Sequence, residues 1–262
     1  MTDYENFSVE TDAGVARVTI HSTSRMNAMN PGMTHELLEV ATELGEDDDV
    51  RCIALTGSGD AYGAGADLSQ LEGNERDATY LRRLASTLHD AVLQFHQAEK
   101  PVVVGVNGVA AGAGFSLAIF GDVVLMSEDS RLEYAYQRIG LTGDGGSTFF
   151  LPRIVGLRNA MAIALLDEPI DAERAVELGL ATEAVAPDAL DDRLDEVART
   201  LADGPTRSLG RTKRLLLSSF DRDLAGQMAA ETDAIARSAH TEDYARGIAA
   251  FFEKEPATFV GR

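Results

Sequence analysis

The chain has 262 residues, 45% hydrophobic and 25% charged, which excludes extensive disorder and allows one large or two modest domains with an ample core. Its formal net charge of -20 is spread along the sequence rather than gathered in a tail, and it disfavours nonspecific nucleic-acid binding, which needs a basic footprint. No stretch approaches eighteen uninterrupted apolar residues, and the opening "MTDYENFSVE" lacks the basic and apolar regions of a secretory leader, so a soluble cytoplasmic protein without a membrane partner is expected.

Lysine occurs only as Lys100, Lys213 and Lys254; arginine supplies the remainder of the 23 basic residues. An acidic, lysine-poor surface predicts a salt-loving source, where concentrated salt screens self-repulsion; an ordinary acidic enzyme is the alternative. The single cysteine, Cys52, lies in the apolar run "VRCIALTG" and reads as a core residue, with neither an intrachain disulfide nor a thiolate metal cluster open to it.

In chain order, Phe7 to Thr11 and Val15 to His21 predict a hairpin around "DAG", the second strand alternating as "VARVTIH". Pro31 suits a first helical turn, and Met33, Leu37, Val40 and Leu44 fall on one face of the helix that follows. The buried strand "VRCIALTG" leads into the loop "SGDAYGAGAD". From Asn74, a candidate cap, helical spacing of Leu81, Leu84, Leu88, Val92 and Phe95 runs to the break at Pro101. "VVVGV" and "DVVLMS" are further strands, and strands alternating with helices predict an α/β core. After about Asp188 the pattern becomes helical throughout, which places a helical domain at the C-terminal end.

Two passages share one design: "IALTGSGDAYGAGADL" and "VVVGVNGVAAGAGFSL" each run from a strand through side-chain-poor loop to a helix, leaving backbone N–H groups uncovered. If Ala66 and Ala113 offer their amides to one oxygen, the two loops form an oxyanion hole. Glycines that merely permit tight strand–helix packing are the structural alternative. Neither loop carries the dinucleotide-binding spacing G-x-G-x-x-G or a P-loop lysine. "GFSLA" nearly matches a nucleophile elbow with Ser116 as nucleophile, yet none of the five histidines carries a local signature for its base. His89 and His96 stand seven residues apart on one predicted helix, too far for a simple metal pair, and no metal site is expected.

Taken in order, "MNAM", "IALTGSGDAYGAGADL", "KPVVVGVNGVAAGAGFSLAIFGDVVLMSED", "IGLTGDGGSTFFLPRIVG", "AVELGLATEAV" and "AAFFEKEPATFVGR" resemble the crotonase, or enoyl-CoA hydratase/isomerase, family over essentially the full length. The resemblance implies a crotonase-like spiral of β-β-α turns over residues 1–195 and a helical trimerisation domain over 196–262, in homotrimers or dimers of trimers. It implies an acyl-CoA thioester as substrate, with no cofactor beyond that CoA moiety, and a thioester oxygen held by the amides of Ala66 and Ala113. Ala113 stands where the family usually has glycine. Contacts to CoA are implied for Ala64, Ala66, Asp67 and Leu68, and, from a neighbouring subunit, for Phe251 and Lys254; Arg25 is a further candidate for the phosphates.

The two catalytic glutamate positions of the family's hydratases align with Ser116 and Tyr136, so ordinary two-glutamate hydration is not expected. "GDGGS" instead resembles the branch with an aspartate before paired glycines, which includes enoyl-CoA isomerases, the ring-epoxide isomerase of phenylacetyl-CoA breakdown and aryl-CoA dehalogenases. That makes Asp144 the candidate acid/base, although an aspartate there also suits a cap for a helix starting near Ser147. The expectation is an isomerase in which Asp144 moves a proton along an enolised thioester. A hydratase, dehalogenase or hydrolase on the same fold, a serine hydrolase using Ser116, and a non-catalytic CoA-binding assembly protein remain alternatives. Pocket walls are expected from Leu68 to Tyr80 and from the region of Tyr136.

Overall fold

The computed structural model describes residues 3–262. β1 (Phe7–Asp12) and β2 (Val15–Ile20) pair antiparallel, closed by Ala13 and Gly14, both with positive φ, as a two-residue hairpin turn demands. α1 (Pro31–Glu46) starts as its sequence predicts: the Asn30 side chain accepts from the Met33 amide, Pro31 sits in the first turn, and Met33, Leu37, Val40 and Leu44 are buried together. β3 (Cys52–Gly57) then lies parallel to β2.

From here the chain winds in a repeating strand–strand–helix turn. β3 is followed by β4 (Ala61–Gly63) and α2 (Arg76–Gln97); β5 (Val102–Val106) by β6 (Val109–Ala111) and α3 (Ala113–Ile119); β7 (Val123–Ser127) by β8 (Arg131–Glu133). With the closing strands β9 (Ile170–Asp171) and β10 (Glu183–Val185), the first strand of each turn joins a six-stranded sheet in the order β1-β2-β3-β5-β7-β10, and the second joins a four-stranded sheet in the order β4-β6-β8-β9. α4 (Ser147–Ile154) and α5 (Gly156–Leu166) come between β8 and β9, and α6 (Ala172–Leu178) between β9 and β10. This is the expected spiral of β-β-α turns.

Alternation along the strands splits the core in two. Ile53 and Leu55 of β3 point into the larger cluster, which α1, α2 and α3 cover, whereas Cys52 and Ala54 point into a second cluster on the opposite face. That face is covered by α7 (Leu190–Ala202), whose Leu190, Leu194, Ala198 and Ala202 repeat every four residues as one buried stripe. α7 spans the 195/196 division suggested by sequence, and its packing belongs to the sheet. Cys52 is fully buried and burial pushes its thiol up to about 12, so it stays a neutral core residue as expected. α8 (Thr206–Ser218), α9 (Leu224–Ser238) and α10 (Glu242–Glu253) complete the helical C-terminal part. Among the described residues no helix is long and apolar enough to cross a membrane, and no cluster of His, Cys, Asp and Glu suits a metal ion.

Candidate active site

The two glycine loops meet. A Cβ on Gly114 would fall 1.9 Å from the carbonyl oxygen of Gly63, so only glycine lets the start of α3 approach the end of β4 this closely. Gly112, just before α3, has φ +54° with ψ -121°, a conformation that turns the chain from β6 into the helix and that a side chain would strain. The side-chain-poor "GVAAGAG" is therefore spent on bringing two backbones together.

That junction exposes amides. Met29 donates to the Gly65 carbonyl at 2.7 Å and accepts from the Asp67 amide at 2.8 Å, forming an isolated parallel bridge at Ala66. Successive amides of an extended segment face opposite sides, so the Ala66 N–H is turned away from Met29. The Ala113 N–H is a first-turn amide with no intrahelical acceptor. Neither donates to another group among the described residues, and both residues line one cavity of about 560 Å³.

Asp144 lines the same cavity and is its single carboxylate among the described residues. The Tyr136 hydroxyl donates to Asp144 Oδ1 at 2.6 Å, and Ser116 Oγ lies 2.9 Å from that hydroxyl and 2.8 Å from the Asp144 carbonyl oxygen. Burial and the neighbouring Asp144 charge push the Tyr136 phenol far above its ordinary range, which keeps it a donor. The positions aligned with the hydratase glutamates thus form one hydroxyl network that holds the aspartate from below. Asp144 does not cap α4 with its side chain: Gly146 is the cap position, and Asp144 contributes only its carbonyl, to the Ser147 amide at 3.0 Å.

Ser116 is fully buried and its hydroxyl partners are Gly112, Tyr136 and Asp144, with no histidine. That arrangement gives a nucleophilic serine neither a base nor access. Ala64 and Leu68 line the cavity; Asp67 does not. The Asp67 carboxylate instead caps the short helix at Leu68–Gln70 through the Ser69 amide and accepts from Ser24 Oγ at 3.0 Å, bonds that hold its carboxyl below the ordinary range. Arg25, Phe251 and Lys254 are exposed and lie outside the lining of this chain's cavity.

Three features escaped sequence reading. The cavity wall continues along α2 beyond Tyr80, with Leu81, Ala85 and Leu88 on the same face as Ala78; an apolar stripe wider than the core requires was the available signal. Arg138 lines the cavity yet is held by Glu133 and Asp167, while burial opposes but Arg131 and Arg138 outweigh it in keeping the Glu133 carboxyl below its ordinary range. His89 of α2 accepts the Gly145 N–H on Nε2 at 3.0 Å, buttressing the loop beside Asp144; nothing in the sequence marked that pairing across 56 residues.

The sequence pattern described as Enoyl-CoA hydratase/isomerase matches residues 10–262. A 1,2-epoxyphenylacetyl-CoA isomerase from Escherichia coli is 34% identical, over 96% of this chain and 97% of that one. A protein of Rhodobacter capsulatus, named a probable enoyl-CoA hydratase, is 36% identical over 99% of both chains. The crystal structure of an enoyl-CoA hydratase from Polaromonas sp. JS666 superposes with a TM-score of 0.91 at 27% identity, covering 97% of this chain and 99% of the other.

Proposed function

Because the chain belongs to the enoyl-CoA hydratase/isomerase family, a family of acyl-CoA enzymes, we propose that it is an isomerase acting on an enolisable acyl-CoA thioester. The observation that carries this reading is the cavity's single carboxylate among the described residues, Asp144, sharing that cavity with two unpaired amides, with hydroxyls at both positions where a two-carboxylate hydratase would have acids. In the proposed reaction the thioester oxygen lies between the Ala66 and Ala113 amides. Asp144 takes a proton from the carbon next to the carbonyl, the amides stabilise the enolate, and the same carboxyl returns the proton further along the acyl chain. One base suffices because the proton count of the substrate is unchanged. The aliphatic wall from α2 suits an apolar acyl or aryl group.

The relatives support this family of chemistry and differ within it: one is a ring-epoxide isomerase, another is named a hydratase. A panel of acyl-CoA thioesters followed by mass spectrometry tests the choice. A rearranged product of unchanged mass is expected; a product heavier by one water would replace isomerisation by hydration, and release of free CoA would replace it by hydrolysis.

We further propose the homotrimer or dimer of trimers. Support comes from the apolar groups left exposed on the C-terminal helices, including Leu224 at 75%, Ile235 at 72% and Phe251 at 75%. On this reading Phe251 and Lys254, outside their own cavity, serve the CoA of a neighbouring subunit.

A further inference from the structure

α8 and α9 enclose a groove of about 470 Å³ whose chemistry differs from that of the Asp144 cavity. Arg211 and Arg214, three residues apart on one face of α8, line it, with Arg237 of α9 and Arg222 of the connecting segment. Ala230 and Ala234, four apart on α9, leave the middle open. Among the described residues only two carboxylates, Glu99 and Asp233, share the lining, so four guanidinium charges exceed them by two in a chain whose formal net charge is -20.

These arginines are also poorly satisfied. Arg17, Arg138 and Arg193 each engage two carboxylates. In the groove, Arg211 donates to Ser238 Oγ and Arg222 to Ser218 Oγ and Gln227 Oε1, all neutral acceptors. Arg214 meets Glu99 at 3.4 Å in an exposed pair, and the Arg237 guanidinium has no hydrogen bond or ion pair among the described residues, only its backbone carbonyl accepting from the turn that follows. Like charges gathered in a concavity repel unless a ligand answers them, and a guanidinium fork matches phosphate oxygens in shape as well as charge. A phosphate monoester carries about -1.5 to -2 at neutral pH, which balances the local excess.

We infer that this groove is a binding site for a small phosphate-bearing anion. The site is independent of the Asp144 cavity and of the reaction assigned to it.

Calorimetric titration of the intact protein with pyrophosphate in low-salt buffer tests the site, with adenosine monophosphate and free CoA as further probes. Saturable binding of one pyrophosphate per chain is expected, weakened about tenfold or more by Arg237→Gln and by Arg222→Gln, each an exposed residue whose loss leaves the fold intact by thermal melting. Tighter binding of the monophosphate nucleotide than of pyrophosphate would identify a nucleotide ligand; CoA binding weakened by these variants would make the groove a subsite for the CoA substrate and overturn its independence of the Asp144 cavity. No saturable binding of any probe, or affinities equal in wild type and both variants, would overturn the proposal. So would a fall in assembly mass of either variant in sedimentation without any phosphate binding, which would make the groove a contact between copies. Turnover of acyl-CoA is expected to be unchanged in both variants.

Discussion

Asp144 stands on two hydroxyls. Tyr136 donates to its carboxylate and Ser116 to its backbone carbonyl, while His89 holds the next amide, so three separate elements fix one short loop. Removing the carboxylate as a base in Asp144→Asn is expected to lower kcat about 10²–10⁴-fold with the fold unchanged; retained activity would remove the assignment. Tyr136→Phe keeps the ring packing and deletes a hydrogen bond to a charged acceptor, so a drop in kcat on the order of tenfold is expected in steady-state assays, smaller than that of Asp144→Asn. Asp144 was legible in sequence because "GDGGS" is local; its support by Tyr136, eight residues earlier, and by Ser116, 28 residues earlier, was not, because those distances close only in the fold.

At the scale of elements, α7 and α8 join the spiral by different physics. α7 buries an apolar stripe in which Leu194 covers Gly105 of β5, and a Cβ on that glycine would lie 2.9 Å from Leu194 Cδ2. Leu194→Ala is expected to cost about 2–5 kcal/mol in denaturant unfolding, since the gap under α7 cannot close fully. α8 is tied by Lys213, whose side chain is only 8% exposed, pairs with Asp122 at 2.8 Å and donates to the Phe95 carbonyl. His96 lies beside this pair with its ring edge-on to Phe149 and Phe150; burial first, then the Lys213 charge, pull its pKa below the usual 6.5. Its neutral form is therefore favoured in the fold. The stability it contributes is complete above pH 6.5 and declines as the pH falls towards the lowered folded value, because the unfolded chain takes up the proton first. Denaturation midpoints of wild type and His96→Phe across that window check the sign: the wild-type slope should exceed the variant's, and equal slopes would refute it. The helices themselves were readable from apolar spacing and from caps such as Asn30; the neighbours of His96 were not, since Lys213 follows it by more than a hundred residues.

Over the whole molecule, the formal net charge of -20 works against compactness unless it is screened. Raising KCl from 0.1 M to 1 M shortens the Debye length from about 10 Å to about 3 Å, and Tm is expected to rise across that range; a flat or falling Tm would remove the salt-adapted reading of the surface. The α/β class, the hairpin, the long helices, the buried Cys52 and the two glycine loops follow from the sequence alone, because period, capping and glycine requirements are properties of neighbouring residues. The cavity is a property of the tertiary structure: Ala66 and Ala113 lie in different turns of the spiral, and they come to line one cavity where Gly63 and Gly114 let two backbones touch. Asp67 illustrates the same division, since a carboxylate beside the site in sequence is turned by Ser24 and Ser69 to capping, while His89, distant in the chain, holds the Gly145 amide beside Asp144.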